Sequence, residues 1–176
     1  MGSIAGSKKL KRQMAPTFWG INRKEKKFVI TVRPGSHQKN NSIPTAVLLR
    51  DTLKKVKTLR EAKSSIYGGK LKIDGVIQKS LHHSVGLMDV VELEGITDVY
   101  RLVPNNGKIL RPIKIDAAEK SKKLIKVKTK TTIKGGKTQL GFNDGRTIIT
   151  DVDVNTDDTC ILQIPEQKIL DVIKFE

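Results

Sequence analysis

Residues 58–75 read TLREAKSSIYGGKLKIDG, and the order of signals in that stretch sets the fold. Thr58-x-x-Glu61 is a capping box, in which each side chain can bond a backbone N–H that the first helical turn leaves unpaired. Leu59, Ala62 and Ile66 then keep one helical face apolar, with Arg60 and Lys63 off it. Gly68-Gly69 supplies the stop, because glycine tolerates a left-handed C-cap. Immediately afterwards the period changes to two. Leu71 and Ile73 alternate with Lys70 and Lys72, and Asp74-Gly75 is a strong hairpin-turn signal. A capped helix feeding an antiparallel hairpin predicts an α+β unit.

Working outward extends that unit on both sides. Upstream, Pro44 suits a first helical turn, and Val47, Leu48, Leu49, Leu53 and Val56 give an apolar stripe. Downstream, a loop with His82, His83 and Gly86 leads to a third strand, Asp89–Leu93. A small α+β domain over 42–93 is predicted. Beyond it the period stays at two. Val99–Val103 and Ile109–Ile115 flank the turn Pro104-Asn105-Asn106-Gly107, and Asp116-x-x-Glu119 fits one short helical turn. Ile125, Val127 and Thr129 alternate with Lys126, Lys128 and Lys130, followed by a Gly135-Gly136 turn. Leu140–Phe142 and Thr147–Thr150 flank Asn143-Asp144-Gly145, and Cys160–Ile164 pairs with Leu170–Phe175 around Pro165. A mostly antiparallel, barrel-like β domain over 94–176 is predicted. Residues 1–41 have no sustained period and read as an extended basic arm that orders on a partner. A solvated tail is the bland alternative, and Phe18 and Trp19 argue against it.

Lys and Arg number 34 against 18 Asp and Glu, a net charge of +16 with a pI near 10.0. Such self-repulsion is relieved by a polyanion, either nucleic acid or anionic membrane. The excess is uneven: residues 1–40 hold ten cations and one acid, whereas 147–176 hold two cations and seven acids. At 37% hydrophobic and 30% charged, the chain is neither disordered throughout nor a membrane protein. It has no secretory h-region, and its one cysteine, Cys160, fits a reducing compartment.

Motifs for chemistry fall short. Gly136-Lys137-Thr138 resembles the end of a phosphate-binding loop, but Thr131 stands where that loop needs glycine and a strand follows. Asp151-x-Asp153-x-Asn155 resembles a calcium loop, but Thr156 and Leu162 occupy its glycine and glutamate positions. Met1-Gly2 lacks the Ser or Thr an acylation signal wants at Gly6. His37, His82 and His83 have no partners at metal-ligand spacing. No catalytic residue, metal site or cofactor is predicted. His37, between Arg33 and Lys39, is read as facing nucleic acid.

Two surfaces point to a polyanion. Strand alternation sets Lys126, Lys128 and Lys130 about 7 Å apart on one face, close to the step between phosphates; the competing reading is a solvated, edge-protecting face. Arg50, Lys54, Lys55, Arg60 and Lys63 lie off the apolar helical stripes, with Lys70 close by in sequence.

The helix, capped helix, Gly-Gly, Lys72-Ile73-Asp74-Gly75 and Gly86-Leu87-Met88-Asp89-Val90-Val91 together resemble the S-four RNA-binding domain. Nearly the whole chain is similar to the S-four-e family of small-subunit ribosomal proteins. The arm Lys9-Leu10-Lys11-Arg12-x-x-Ala15-Pro16-x-x-Trp19, Arg33-Pro34, Asn143-Asp144-Gly145-Arg146-Thr147-Ile148 and Asp171-x-Ile173-Lys174-Phe175-Glu176 carry the likeness. The resemblance implies a non-catalytic constituent of the cytoplasmic ribosome, with small-subunit rRNA and neighbouring ribosomal proteins as partners. It implies no membrane and no small-molecule substrate. The residues expected on RNA are Lys8, Lys9, Lys11, Arg12, Trp19, Arg23, Lys24, Arg33, His37, Lys39, Arg146, the helical cations and the three strand lysines. Trp19 or Phe18 is expected to stack on an unpaired base. Many S-four domains carry Arg where Leu59 stands, so Arg60 is the expected substitute. Chains of that family continue into a KOW-type β domain, whose function is not carried over to a sequence stopping at Glu176. The alternatives are an RNA-modifying or tRNA-handling enzyme with an appended S-four domain, and a basic protein of membrane surfaces.

Overall fold

A computed structural model describes residues 10–105 and 109–175. The 58–75 stretch folds as its signals require. Helix α2 (Leu59–Tyr67) is capped by Thr58, whose hydroxyl accepts from the Glu61 N–H at 3.2 Å. The reciprocal bond is displaced by one residue, since Glu61 accepts from the Lys57 N–H at 2.9 Å. Strands β4 (Leu71–Ile73) and β5 (Val76–Ile77) pair Ile73 with Val76, leaving Asp74-Gly75 as a two-residue turn. Both turn residues have positive φ, +51° and +77°, as a primed turn demands.

The arm is ordered through most of its length. Leu10–Lys11 (β1) pairs with Phe28–Val29 (β2), and Leu10, Ala15, Trp19 and Val32 join the first core. Ile43–Pro44 (β3) pairs with Ser84–Val85 (β6). Helix α1 (Thr45–Val47) continues as a π-helical turn, Leu48–Thr52. The helical segment ends before Lys54, which takes φ +53°, rather than running to Val56.

The first five-stranded antiparallel sheet is ordered β5-β4-β7-β8-β9, with β7 Val90–Leu93, β8 Val99–Asn105 and β9 Ile109–Ile115. The sheet runs across the boundary expected at 93/94. Val90 faces Arg101 and Glu92 faces Val99, so the β8–β9 hairpin extends the first sheet. The Asn106-Gly107 part of its turn lies outside the described residues. Asp116-x-x-Glu119 forms a turn closed by Glu119 N–H to Asp116 O, not a helix.

The second sheet is ordered β12-β11-β10-β13-β14 (Thr147–Thr150, Thr138–Phe142, Lys122–Thr132, Thr159–Gln163, Lys168–Ile173). The long β10 pairs with β13 along its first half and β11 along its second, so the sheet curls into a half-barrel. Its core is Ile125, Val127, Leu140, Phe142, Val154, Cys160 and Leu162.

Candidate nucleic-acid interface

The arm gathers cations without acids to match. Lys11, Arg23, Lys24, Lys26 and Lys27 line one open basin with Gln13. Arg23 is held there by donating to the Gln13 and Ala15 carbonyls, which fixes its position without neutralising its charge. Lys24, Lys26, Arg33 and Lys39 are exposed and carry no ion pair among the described residues. Lys8 and Lys9 lie outside the described residues.

Three arm residues expected on RNA face inward. Trp19 is 2% exposed, and its indole N–H donates to Ser42 O at 2.8 Å, so the ring belongs to the core and cannot stack on a base in this conformation. Arg12 is also 2% exposed and approaches Glu25 at 3.8 Å. The His37 ring is turned inward onto Asp89, 3.1 Å away, rather than out toward a ligand. An arm read as extended buries these groups because its apolar residues, spaced too irregularly for a period, close the first core from one side.

On the helical unit, Lys54, Arg60 and Lys70 are exposed and have no ion pair among the described residues. The other members are occupied locally. Arg50 forks onto Asp51 with bonds of 3.0 and 2.7 Å. Lys55 reaches Asp98 and lies over the Tyr100 ring, and Lys63 lies over Tyr67.

The strand ladder is broken. A register shift between Val127 and Thr129 adds one residue to β10, so Lys130 falls opposite buried Leu140, while Lys126 precedes the shift. An added residue moves every later side chain to the other face; Lys126 and Lys130 therefore do not share one. Both are also paired with the acidic segment that follows, Lys126 to Asp157 at 2.6 Å and Lys130 to Asp153 at 3.1 Å. Lys128 alone of the three has no ion pair among the described residues.

Sequence reasoning missed a buried cluster where arm, first sheet and second sheet meet. Lys123, 1% exposed, donates to Asp74 at 2.7 Å and Asp89 at 2.6 Å, and lies 3.2 Å from Asp144. Arg146, expected on RNA, instead bridges Asp74 and Asp144. Burial works to raise the Asp89 carboxyl, but the bond from His37 and the charge of Lys123 outweigh it and bring the pKa down to about 2. Asp74 moves the other way, raised by burial and by the charge of Asp89. Burial lowers the Lys123 ammonium, but three carboxylates more than reverse it, leaving it above its ordinary range. Lys123 sits in a run of lysines, and nothing in that run marks it as the buried one.

Against this geometry, the small ribosomal subunit protein eS4 of Ignicoccus hospitalis is 40% identical over 187 residues, spanning 100% of this chain and 73% of that protein. The chain belongs to the ribosomal S4e family. The family description, Ribosomal family S4e, matches residues 96–169, and the RS4NT (NUC023) domain matches residues 5–40. The eS4 protein of Methanothermobacter thermautotrophicus is 41% identical over 176 residues, again 100% of this chain and 73% of that one. The crystal structure of the 30S ribosomal protein S4e from Thermoplasma acidophilum superposes with a TM-score of 0.67 at 35% identity, over 78% of this chain and 71% of that one. S4e membership makes this a ribosomal protein, a structural component and not an enzyme. Among the described residues, no helix is long and apolar enough to cross a membrane.

Proposed function

We propose that this S4e-family chain holds small-subunit rRNA by charge and shape, as a ribosome-bound constituent lying against other ribosomal proteins. The arm basin carries the reading. Lys11, Arg23, Lys24, Lys26 and Lys27 converge on one surface, and no described carboxylate pairs with any of them. Cations held together without counter-charges attract a phosphate backbone and release its condensed ions. Lys54, Arg60 and Lys70 add a second exposed group on the helical unit, and Lys128 adds one from β10. Recognition by backbone and shape is the mode available to lysines and arginines that meet phosphate rather than base edges.

The enzyme alternative has no support in the polar groups that are enclosed. Lys123 is ion-paired with Asp74, Asp89 and Asp144, and the cluster forms a structural joint.

The test is binding of the purified chain to a small-subunit rRNA transcript between roughly 0.05 and 0.2 M salt. Affinity falls steeply across that range, with a log–log slope of several units. A flat response rejects the electrostatic mechanism.

A further inference from the structure

A groove of about 430 Å³ opens where the arm, the β8–β9 hairpin and β10 come together. That volume lies within the ~300–1,000 Å³ of small-ligand sites. Its walls differ in chemistry. Half-buried Phe18 and exposed Leu87 give apolar surface, Gln38, Asn40 and Asn41 give side-chain amides, and Lys128 gives a cation. None of those three amides bonds another described residue through its side chain.

The amides are presented from a fixed turn. The 3-10 turn Lys39–Asn41 is closed by Asn41 N–H to Gln38 O at 3.0 Å. The Ser42 hydroxyl donates to the same carbonyl at 2.7 Å, and Ser42 O in turn accepts from Trp19. A rigid turn that holds unpaired amides loses little freedom when they acquire a partner. Lys128 is similarly uncommitted, whereas Lys126 and Lys130 on the same strand are held by Asp157 and Asp153.

We propose that this groove receives one unpaired nucleotide of a bound RNA. The base lies against Phe18 and Leu87, its edge meets the side-chain amides, and its phosphate meets Lys128. A carboxamide carries a donor and an acceptor side by side, which matches the N6–H and N7 of adenine, so adenine is the best-fitting base. The inference rests on the RNA-holding reading and adds to it a base-binding subsite.

The test uses the full chain and two RNA hairpins with the same stem, one fully paired and one carrying a single bulged adenosine. The bulged hairpin binds about tenfold more tightly, the scale of one stacked base. With 2-aminopurine placed beside the bulged adenosine, its fluorescence changes on binding as the adenosine leaves the stack. The double variant Asn40→Ala/Asn41→Ala and, separately, Leu87→Asp each bring the ratio of the two affinities to about one. Equal, tight binding of both hairpins by the unaltered chain overturns the groove and leaves the electrostatic reading standing. A preference that survives both variants also overturns it. Failure to bind either hairpin overturns both readings together.

Discussion

The arm and strand β10 are both lysine-rich, yet they spend their charge differently. In the arm, Lys11, Arg23, Lys24, Lys26 and Lys27 share a basin that no described carboxylate enters. In β10, Lys126 and Lys130 are answered by Asp157 and Asp153, and Lys123 by three buried aspartates. A count of cations along a sequence therefore overstates the second region and understates the first. What decides attraction for a polyanion is whether a charge already has a partner at short range.

The strongest way to break the comparison is to remove its most committed cation. Lys123→Met leaves three carboxylates without their shared counter-charge, and the expected loss is about 3–5 kcal/mol of stability, read by urea unfolding. The same joint gives a pH dependence. The Asp89 carboxyl is depressed from 3.8 to about 2 in the folded chain, so its contribution is complete above 3.8 and disappears as pH falls toward 2. The difference in unfolding midpoint between the unaltered chain and Asp89→Asn is expected to be constant above pH 4 and to shrink below it. If the gap widens with acid, the joint does not hold Asp89 ionised.

The arm side predicts a binding effect instead. Lys24→Gln/Lys26→Gln/Lys27→Gln lowers affinity for rRNA and reduces the log–log salt slope by about 0.7–0.9 for each phosphate left without its cation. Its unfolding midpoint stays where it was. The matched change in β10, Lys126→Gln/Lys130→Gln, moves the slope much less, because those ammonium groups are already paired. Equal slopes from the two variants would erase the distinction. The smallest expected effect is Thr58→Ala, about 1 kcal/mol from removal of the α2 cap, with RNA affinity unchanged; thermal melting and a binding titration measure the two separately.

How far the sequence could be read depended on the range of the interaction. The capping residue Thr58, the primed turn at Asp74-Gly75 and the alternation along β10 as far as Val127 are set by neighbours within a few positions, and all three are found in place. The arm, the strand ladder and the boundary were harder because distant partners decide them. Trp19 bonds a carbonyl 23 residues away. The shift within β10 depends on its register with β11. Strand β8, expected with the second domain, pairs back onto β7. Family resemblance supplied Arg146 as a candidate, but its partner Asp74 lies 72 residues off, beyond any local pattern.

The tryptophan anchored beneath the arm has a consequence for association. A leader fastened to the body by Trp19, Leu10 and Val32 has already lost much of its conformational freedom before it meets any transcript. The entropy penalty usual for tails that fold as they bind then falls during synthesis of the chain, not at docking. Such a leader approaches its target as a preset clip, with a shorter search over shapes.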